Sequence, residues 1–327
     1  MKKILVTGAT GFLGSNLASA LVESGAKVRI LRRPTSSLGA LEGIDVEHVV
    51  GDIRDPEAVL RAARGCETVF HAAALVSYWR RQREEMYATN IGGTANVVNA
   101  CLKAGVRRLV HTSSIAAIGF AGNGTLANES TPFNWDRYDI GYRISKYHAE
   151  QEIVRGIQRG LSAVIVNPSV IIGERDIHFN GGQIIRDVYR KRIFYYAKGG
   201  INIVYVGDVV RGHISAAQLG GIGERYILGG ENLTHRDVIA ITADIVGGMK
   251  PVAKLPMWLV RSIAEASELY GNLTNSKPWI GRELIGGIDL QCWFSCDKAK
   301  ENLGYTVTPF RTAVQKAFDW YRQEHLL

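Results

Sequence analysis

No run of apolar residues approaches the roughly 18 that a membrane-spanning helix needs, so no membrane span is expected. The first strand begins at Lys3, which leaves no room for a secretory leader, and the chain reads as cytoplasmic. Cysteine is sparse. The four present, Cys66, Cys101, Cys292 and Cys296, suit a reducing compartment as free thiols. Cys292 and Cys296 have no His or Cys neighbours at a zinc-like spacing, so no metal site is expected. A net charge of +8 invites a nucleic-acid reading, but no nucleic-acid motif accompanies it and the basic residues are dispersed. Arg80-Arg81-Gln82-Arg83 and Arg190-Lys191-Arg192 read as solvated faces. Internal repeats and low-complexity linkers are absent too. With 46% hydrophobic and 21% charged residues, 327 residues suffice for one large domain or two fused ones.

What is present starts at once. Ile4-Leu5-Val6 reads as a buried strand, and Phe12 to Val22 carries helical apolar spacing. Between them lies Thr7-Gly8-Ala9-Thr10-Gly11-Phe12-Leu13-Gly14. Strand, glycine turn and helix open a dinucleotide-binding βαβ unit. Gly8 allows a tight turn, Gly11 lets backbone approach a pyrophosphate, and Gly14 lets helix pack on strand. The helix start offers free N–H groups and a positive dipole end to phosphate.

Five further strands follow at Val28–Leu31, Val46–Val50, Thr68–His71, Leu109–His111 and Ala163–Val166, separated by helical segments. Asp55-Pro56 caps one of these helices, and a long one runs through Asn90 to Cys101. This alternation implies an α/β fold, a Rossmann-type doubly wound parallel sheet over residues 1–167. From Pro168 the regularity breaks into a smaller helix-rich C-terminal substrate lobe, 168–327, with some segments returning to the first domain. Helices are expected near Gln183–Arg192, Asp208–Gln218, after Thr234, after Pro256 and from Pro309 to His325. The Pro256 helix carries Leu259, Val260, Ile263, Ala266 and Tyr270 on one side and is expected to pack into core or pocket.

One absence bears on the cofactor. An acid about 20 residues after the glycine turn holds the ribose hydroxyls of NAD. Strand two ends instead in Arg32-Arg33, and a guanidinium there suits a 2′-phosphate. NADP(H) is therefore expected, with NAD(H) as the alternative. Asp52 and Ile53, after strand three, stand where the adenine edge would lie.

Tyr142-Arg143-Ile144-Ser145-Lys146 carries the chemistry. Residues four apart share a helix face, so Lys146 lies beside the Tyr142 phenol and is expected to lower its pKa. Tyr142 then exchanges a proton with a substrate oxygen as hydride moves to or from nicotinamide. Ser114, past the end of strand five, donates a hydrogen bond to the same oxygen.

These residues resemble the extended short-chain dehydrogenase/reductase family, also called the NAD-dependent epimerase/dehydratase family, along essentially the whole chain. Matching features are Thr7 to Gly14, Asp52-Ile53, His71-Ala72-Ala73, Asn90-x-x-Gly93-Thr94, Ser114, Tyr142, Lys146 and Asn167-Pro168-Ser169. The resemblance implies Tyr142 as acid/base, Ser114 as its partner, Lys146 as tuner of Tyr142 and binder of the nicotinamide ribose, and Asn90 as helping to hold the wall near the site. It implies cofactor contacts from Gly8, Thr10, Gly11, Phe12, Leu13, Gly14, Arg32, Arg33, Asp52, Ile53, Ala72, Ala73, Ala74, Asn90, Thr112, Tyr142, Lys146, Asn167, Pro168 and Ser169. A homodimer through the helices after strands four and five is implied as well. Within the family the chain looks most like the dihydroflavonol reductase and 3β-hydroxysteroid dehydrogenase branch. Hopanoid-associated sugar epimerase-like proteins are also similar.

Three functions stay open. The first is an NADPH-dependent reductase of a ketone, or dehydrogenase of the alcohol, on a fairly apolar small molecule. The second is a nucleotide-sugar epimerase or dehydratase with tightly held cofactor. The third is a non-catalytic dinucleotide-sensing regulator, which the presence of Tyr142 and Lys146 disfavours. In the sugar branch an Arg near the start of the segment before a lobe helix helps hold the substrate diphosphate. Ile201 stands at that place here, while Asp208 matches. Arg186, Arg190 or Arg211 is positioned in sequence to substitute. Tyr78, Ser114, Phe120, Tyr142 and Ser169 are the expected substrate contacts, with Trp79, Tyr195, Tyr196 and Trp258 as further candidate pocket aromatics.

Overall fold

The computed structural model describes residues 3–122 and 124–327. Its strands are β1 Lys3–Thr7, β2 Lys27–Arg32, β3 Glu47–Val50, β4 Thr68–His71, β5 Arg108–Thr112, β6 Ala163–Pro168, β7 Val170–Ile172, β8 Tyr195–Tyr196, β9 Gly200–Tyr205, β10 Arg225–Leu228, β11 Glu231–Thr234 and β12 Ala253–Lys254. Seven of them form one sheet in the order β10-β6-β5-β4-β1-β2-β3, and every pairing in it is parallel. Parallel strands inside such a sheet are covered on both faces and read as continuous apolar runs. All six residues of β6 are accordingly buried.

Two apolar clusters cover the two faces. Leu17, Leu21, Ile30 and Val164 belong to one. Val59, Val97, Leu109 and Ile153 belong to the other. Local signals hold up in detail. The Asp55 side chain accepts the Glu57 N–H at 3.0 Å, with Pro56 opening the helix Pro56–Ala63. Strand order reverses between β1 and β4, which puts a crevice at the carboxyl ends of these strands. Thr7, Arg32, His71, Thr112 and Pro168 all end their strands on that edge.

The lobe has its own small sheet, β11-β9-β7, and the pair β12-β8. The helices Gln183–Tyr189, His235–Val246 and Phe310–Gln323 bury Ile185, Val238, Val314 and Tyr321 around it. The chain crosses back once more, since β10 pairs with β6 and completes the main sheet.

Three elements depart from the sequence reading. The segment through Asn90 is helical over 83–104, but residues Ala88–Gly92 form a π-helical turn between Arg83–Tyr87 and Gly93–Ala104. The helix at Gln183 stops at Tyr189, and Lys191 beyond it takes a left-handed conformation (φ 56). The helix after Pro256, Met257–Thr274, buries only Val260, Ala264 and Gly271. Its expected packing stripe is largely exposed, because the close contact is made by the strip of Val260, Ala264 and Gly271 along one edge of it.

Candidate active site

The glycine turn is built as its spacing requires. Gly8 has φ +75, and a Cβ there would lie 2.6 Å from the Ala73 backbone nitrogen. A Cβ on Gly14 would lie 2.2 Å from the Gly8 carbonyl oxygen. No side chain fits between the helix and the turn, so backbone packs directly on backbone. The helix Phe12–Glu23 starts at Gly11 without a side-chain cap and without an acid in its first turn. Its first N–H groups and positive dipole end are left for an anion.

A cavity of about 750 Å³ opens along the carboxyl edge of the sheet. The glycine turn, Ala72 to Ala74 and Pro168 wall it, and so do Thr112, Ser114, Tyr142, Lys146 and Ser169. At the β2 end it takes in Arg32 and Arg33, with Asp52 and Ile53 from the chain after β3. Arg32 is held in place: its Nε donates to His48 Nδ1 at 3.0 Å. Asp52 is engaged by Arg54, whose guanidinium holds its carboxyl below the usual carboxylate range.

Several wall residues were not in the sequence reading. Thr35, Ser36, Ser37 and Arg54 surround the Arg32–Arg33 end, and His178 and Asn180 approach from the lobe. A hydroxyl-rich turn directly after two arginines was the available signal for the first group. Nothing local marks His178 or Asn180, since only the fold brings them here.

At the other end of the cavity, the helix Gly141–Gln158 presents Tyr142 and Lys146. Lys146 Nζ donates to the Thr112 carbonyl at 2.8 Å. Burial pushes its ammonium down to about 8, with Glu150 acting against that. Burial likewise raises the Tyr142 phenol above its ordinary value, and Tyr78 adds to this. A hydrogen bond with Ser114 and the Arg143 guanidinium pull the other way. The expected lowering of Tyr142 by Lys146 is therefore not what the chain alone produces. Desolvation outweighs the neighbouring charges, and the phenol keeps its proton.

Asn90 and Asn167 do not line the cavity; they stand behind it. Asn90 Oδ1 accepts the Leu75 N–H at 2.8 Å, while its Nδ2 donates to the Leu75 carbonyl at 3.0 Å and to Ser145 Oγ at 2.9 Å. It thus pins the chain after β4 to the Tyr142 helix, from within the π-helical turn, a type of bulge frequent at functional sites. Asn167 Nδ2 donates to the Ser114 carbonyl at 2.9 Å and to Glu150 Oε1 at 2.7 Å.

The candidate substrate residues divide. Tyr78 packs edge-on against Tyr142, with ring centroids 5.7 Å apart. Phe120 instead packs against Trp135 at 5.9 Å, and its backbone is clasped by the Asn134 amide. Trp258 is exposed to solvent.

The residues fit a dinucleotide on three counts. The backbone cradle excludes any Cβ. The helix start is uncapped. The Ser113 and Ser169 hydroxyls, buried in the cavity wall, have no partner of their own. A twisted parallel sheet, a glycine cradle at its switch point and a Tyr–Lys helix at the far end together define a dinucleotide-dependent oxidoreductase of the Rossmann type.

The comparisons give that class its family. The family model described as "NAD dependent epimerase/dehydratase family" matches residues 4–229. A protein of Synechocystis sp. named "Putative dihydroflavonol 4-reductase" is 36% identical over 322 residues, 97% of this chain and 94% of that one. "Sterol demethylase protein B" of Methylococcus capsulatus is 32% identical over 326 residues, 99% of each chain. The crystal structure of gox2253 superposes with a TM-score of 0.88 at 40% identity, over all of both chains. The chain belongs to the NAD-dependent epimerase/dehydratase family, the extended short-chain dehydrogenases/reductases. It is an enzyme that acts on a small-molecule substrate.

Proposed function

We propose that the enzyme is an NADPH-dependent reductase of a ketone on a fairly apolar small molecule, with Tyr142 as the acid. The observation that carries this is the Tyr142 end of the cavity. A phenol kept protonated by burial stands beside Ser114 and against the Tyr78 ring. A protonated acid suits the reducing direction, in which the carbonyl oxygen must gain a proton. Ser114 donates a hydrogen bond to that oxygen, Tyr142 gives up its proton there, and Tyr78 offers an apolar wall. Lys146, anchored on Thr112, orients the ribose and supplies positive charge as the phenolate forms. The nicotinamide cofactor, when bound, supplies the hydride. Arg32 and Arg33, with the Ser36 and Ser37 hydroxyls, would take a 2′-phosphate.

The lobe, residues 168–327, closes over the substrate in this reading. The names of the two relatives, a dihydroflavonol reductase and a sterol demethylase protein, support a polycyclic or otherwise apolar substrate. Two of the three arginines that could replace the sugar branch's diphosphate ligand are committed elsewhere. Arg211 pairs with Asp208, and Arg186 reaches Asp187 while lying over Phe179. Ile201 packs against the lobe core. The epimerase reading keeps one support, the family itself. Incubating the protein with NADPH and panels of ketones and nucleotide sugars tests the proposal. Cofactor oxidation with apolar ketones supports it, and turnover of sugars alone overturns it.

A further inference from the structure

The helix Met257–Thr274 is apolar on two sides. Val260, Ala264 and Gly271 form its narrow buried side. The other side leaves Trp258 69%, Leu269 61%, Tyr270 67% and Leu273 78% exposed, with Ile263 at 38%. At about 100° per residue these five fall within an arc of roughly 140°, and from Trp258 to Leu273 the stripe is about 22 Å long. Trp279, just beyond the helix, is also exposed at 71%. A contiguous exposed apolar face of this size marks a partner.

Charge identifies the partner. Around the stripe stand exposed Lys254, Arg261 and Lys277. Acids of the same region are mostly engaged: Glu268 with Arg282 and Glu283 with Arg83. Glu265 is the exposed acid that remains. Cations flanking an apolar face with Trp and Tyr on it match a helix lying in the plane of an anionic bilayer surface. A second copy of the chain fits less well, since the homodimer implied by the family resemblance uses the helices after β4 and β5, and a net charge of +8 favours an anionic surface. Among the described residues no helix is long and apolar enough to cross a membrane, so the contact is peripheral.

The face is tied to the catalytic end of the cavity. Trp79 Nε1 donates to Asn272 Oδ1 at 3.3 Å, and Arg81 donates to the Asn272 carbonyl and to Asn275 Oδ1. Tyr78, next in the chain, packs on Tyr142. We infer that the exposed stripe of Met257–Thr274 docks the enzyme on an anionic lipid bilayer, beside the entrance through which an apolar substrate dissolved in that bilayer reaches Tyr142. The inference rests on the apolar-substrate reading above, but its test uses neither substrate nor cofactor and so fails separately.

The test is co-sedimentation of the full chain with vesicles of phosphatidylcholine, with and without phosphatidylglycerol. Binding is expected to the mixed vesicles and to weaken as salt is raised. The combined variant Trp258→Ser, Leu269→Ser, Leu273→Ser is expected to lose at least about tenfold in vesicle affinity. Tryptophan quenching of the unmutated protein by bromine-labelled lipid reads insertion without any variant, should the triple change unfold the chain. Three results overturn the inference: no binding or quenching by the unmutated protein, equal binding by a folded triple variant, or a dimer that the triple variant dissociates with no vesicle binding.

Discussion

Lys146 donates to the carbonyl of Thr112 at 2.8 Å, so its place is set by β5 rather than by the phenol four residues before it. The amine is held while fully buried, and desolvation brings it down to about 8. Its folded value thus lies below the unfolded one of about 10.5. Between these values the unfolded chain binds the extra proton, so stability rises with pH across that window. Below it, the buried charge is a standing cost.

Lys146→Met should therefore separate stability from function. Turnover and cofactor affinity should both fall. The cofactor-free protein at neutral pH should be more stable, by on the order of 1 kcal/mol after the lost hydrogen bond is counted. Thermal melts at pH 7 and pH 10 check this: the variant's advantage should shrink at the higher pH. A variant less stable than the parent at both would count against the buried-charge account.

Tyr142→Phe removes one hydroxyl and should lower turnover by about 10²–10⁴-fold, the usual share of general acid catalysis. Cofactor affinity should survive, because the glycine turn Gly8 to Gly14, the proposed seat of the phosphates, lies at a different strand end. Steady-state kinetics with fluorescence titration of the cofactor separates the two, and near-full turnover by the variant would remove Tyr142 from its role.

Arg32→Ala should weaken NADPH by roughly tenfold to a hundredfold, the worth of one charge-assisted pair. NADH should be nearly unaffected. His48 holds the Arg32 guanidinium at the cavity edge, so His48→Ala should reproduce part of the loss. Tighter binding of NADH than NADPH by the unmutated protein would contradict the assignment.

Gly14→Ala puts a methyl 2.2 Å from the Gly8 carbonyl oxygen. Neither side is a flexible side chain, so helix and turn must move apart. A loss of about 1–3 kcal/mol is expected from such overpacking, together with loss of dinucleotide binding. A variant with parental melting temperature and affinity would show that the turn is not this tight.

The parallel sheet with its flanking helices was legible because each of its signals is local. An apolar run, a glycine spacing and Asp55-Pro56 each dictate backbone over a few residues. Tyr142 and Lys146 were legible because four residues span one helical turn. The roles of Asn90 and Asn167 were only half legible. The family resemblance implies Asn90 as helping to hold the wall near the site, and Asn90 does brace Leu75; that Asn167 braces Ser114 from behind the cavity shows only in the fold. The π-helical turn at Ala88–Gly92 leaves no hydrophobic signature. The Met257–Thr274 helix misled for a physical reason. Periodicity weighs hydrophobicity, whereas close packing of a helix is decided by small residues such as Ala264 and Gly271.

The central claim is reduction of an apolar ketone by NADPH with Tyr142 as the proton donor. Its most direct test is nicotinamide absorbance followed while the purified protein, and separately its Tyr142→Phe variant, meets apolar ketones and then UDP-glucose. Stoichiometric loss of NADPH with a ketone is expected, slowed about 10²–10⁴-fold in the variant, with no epimerised sugar by NMR. Epimerised sugar formed without net NADPH consumption, alongside no reaction with any ketone, would contradict it.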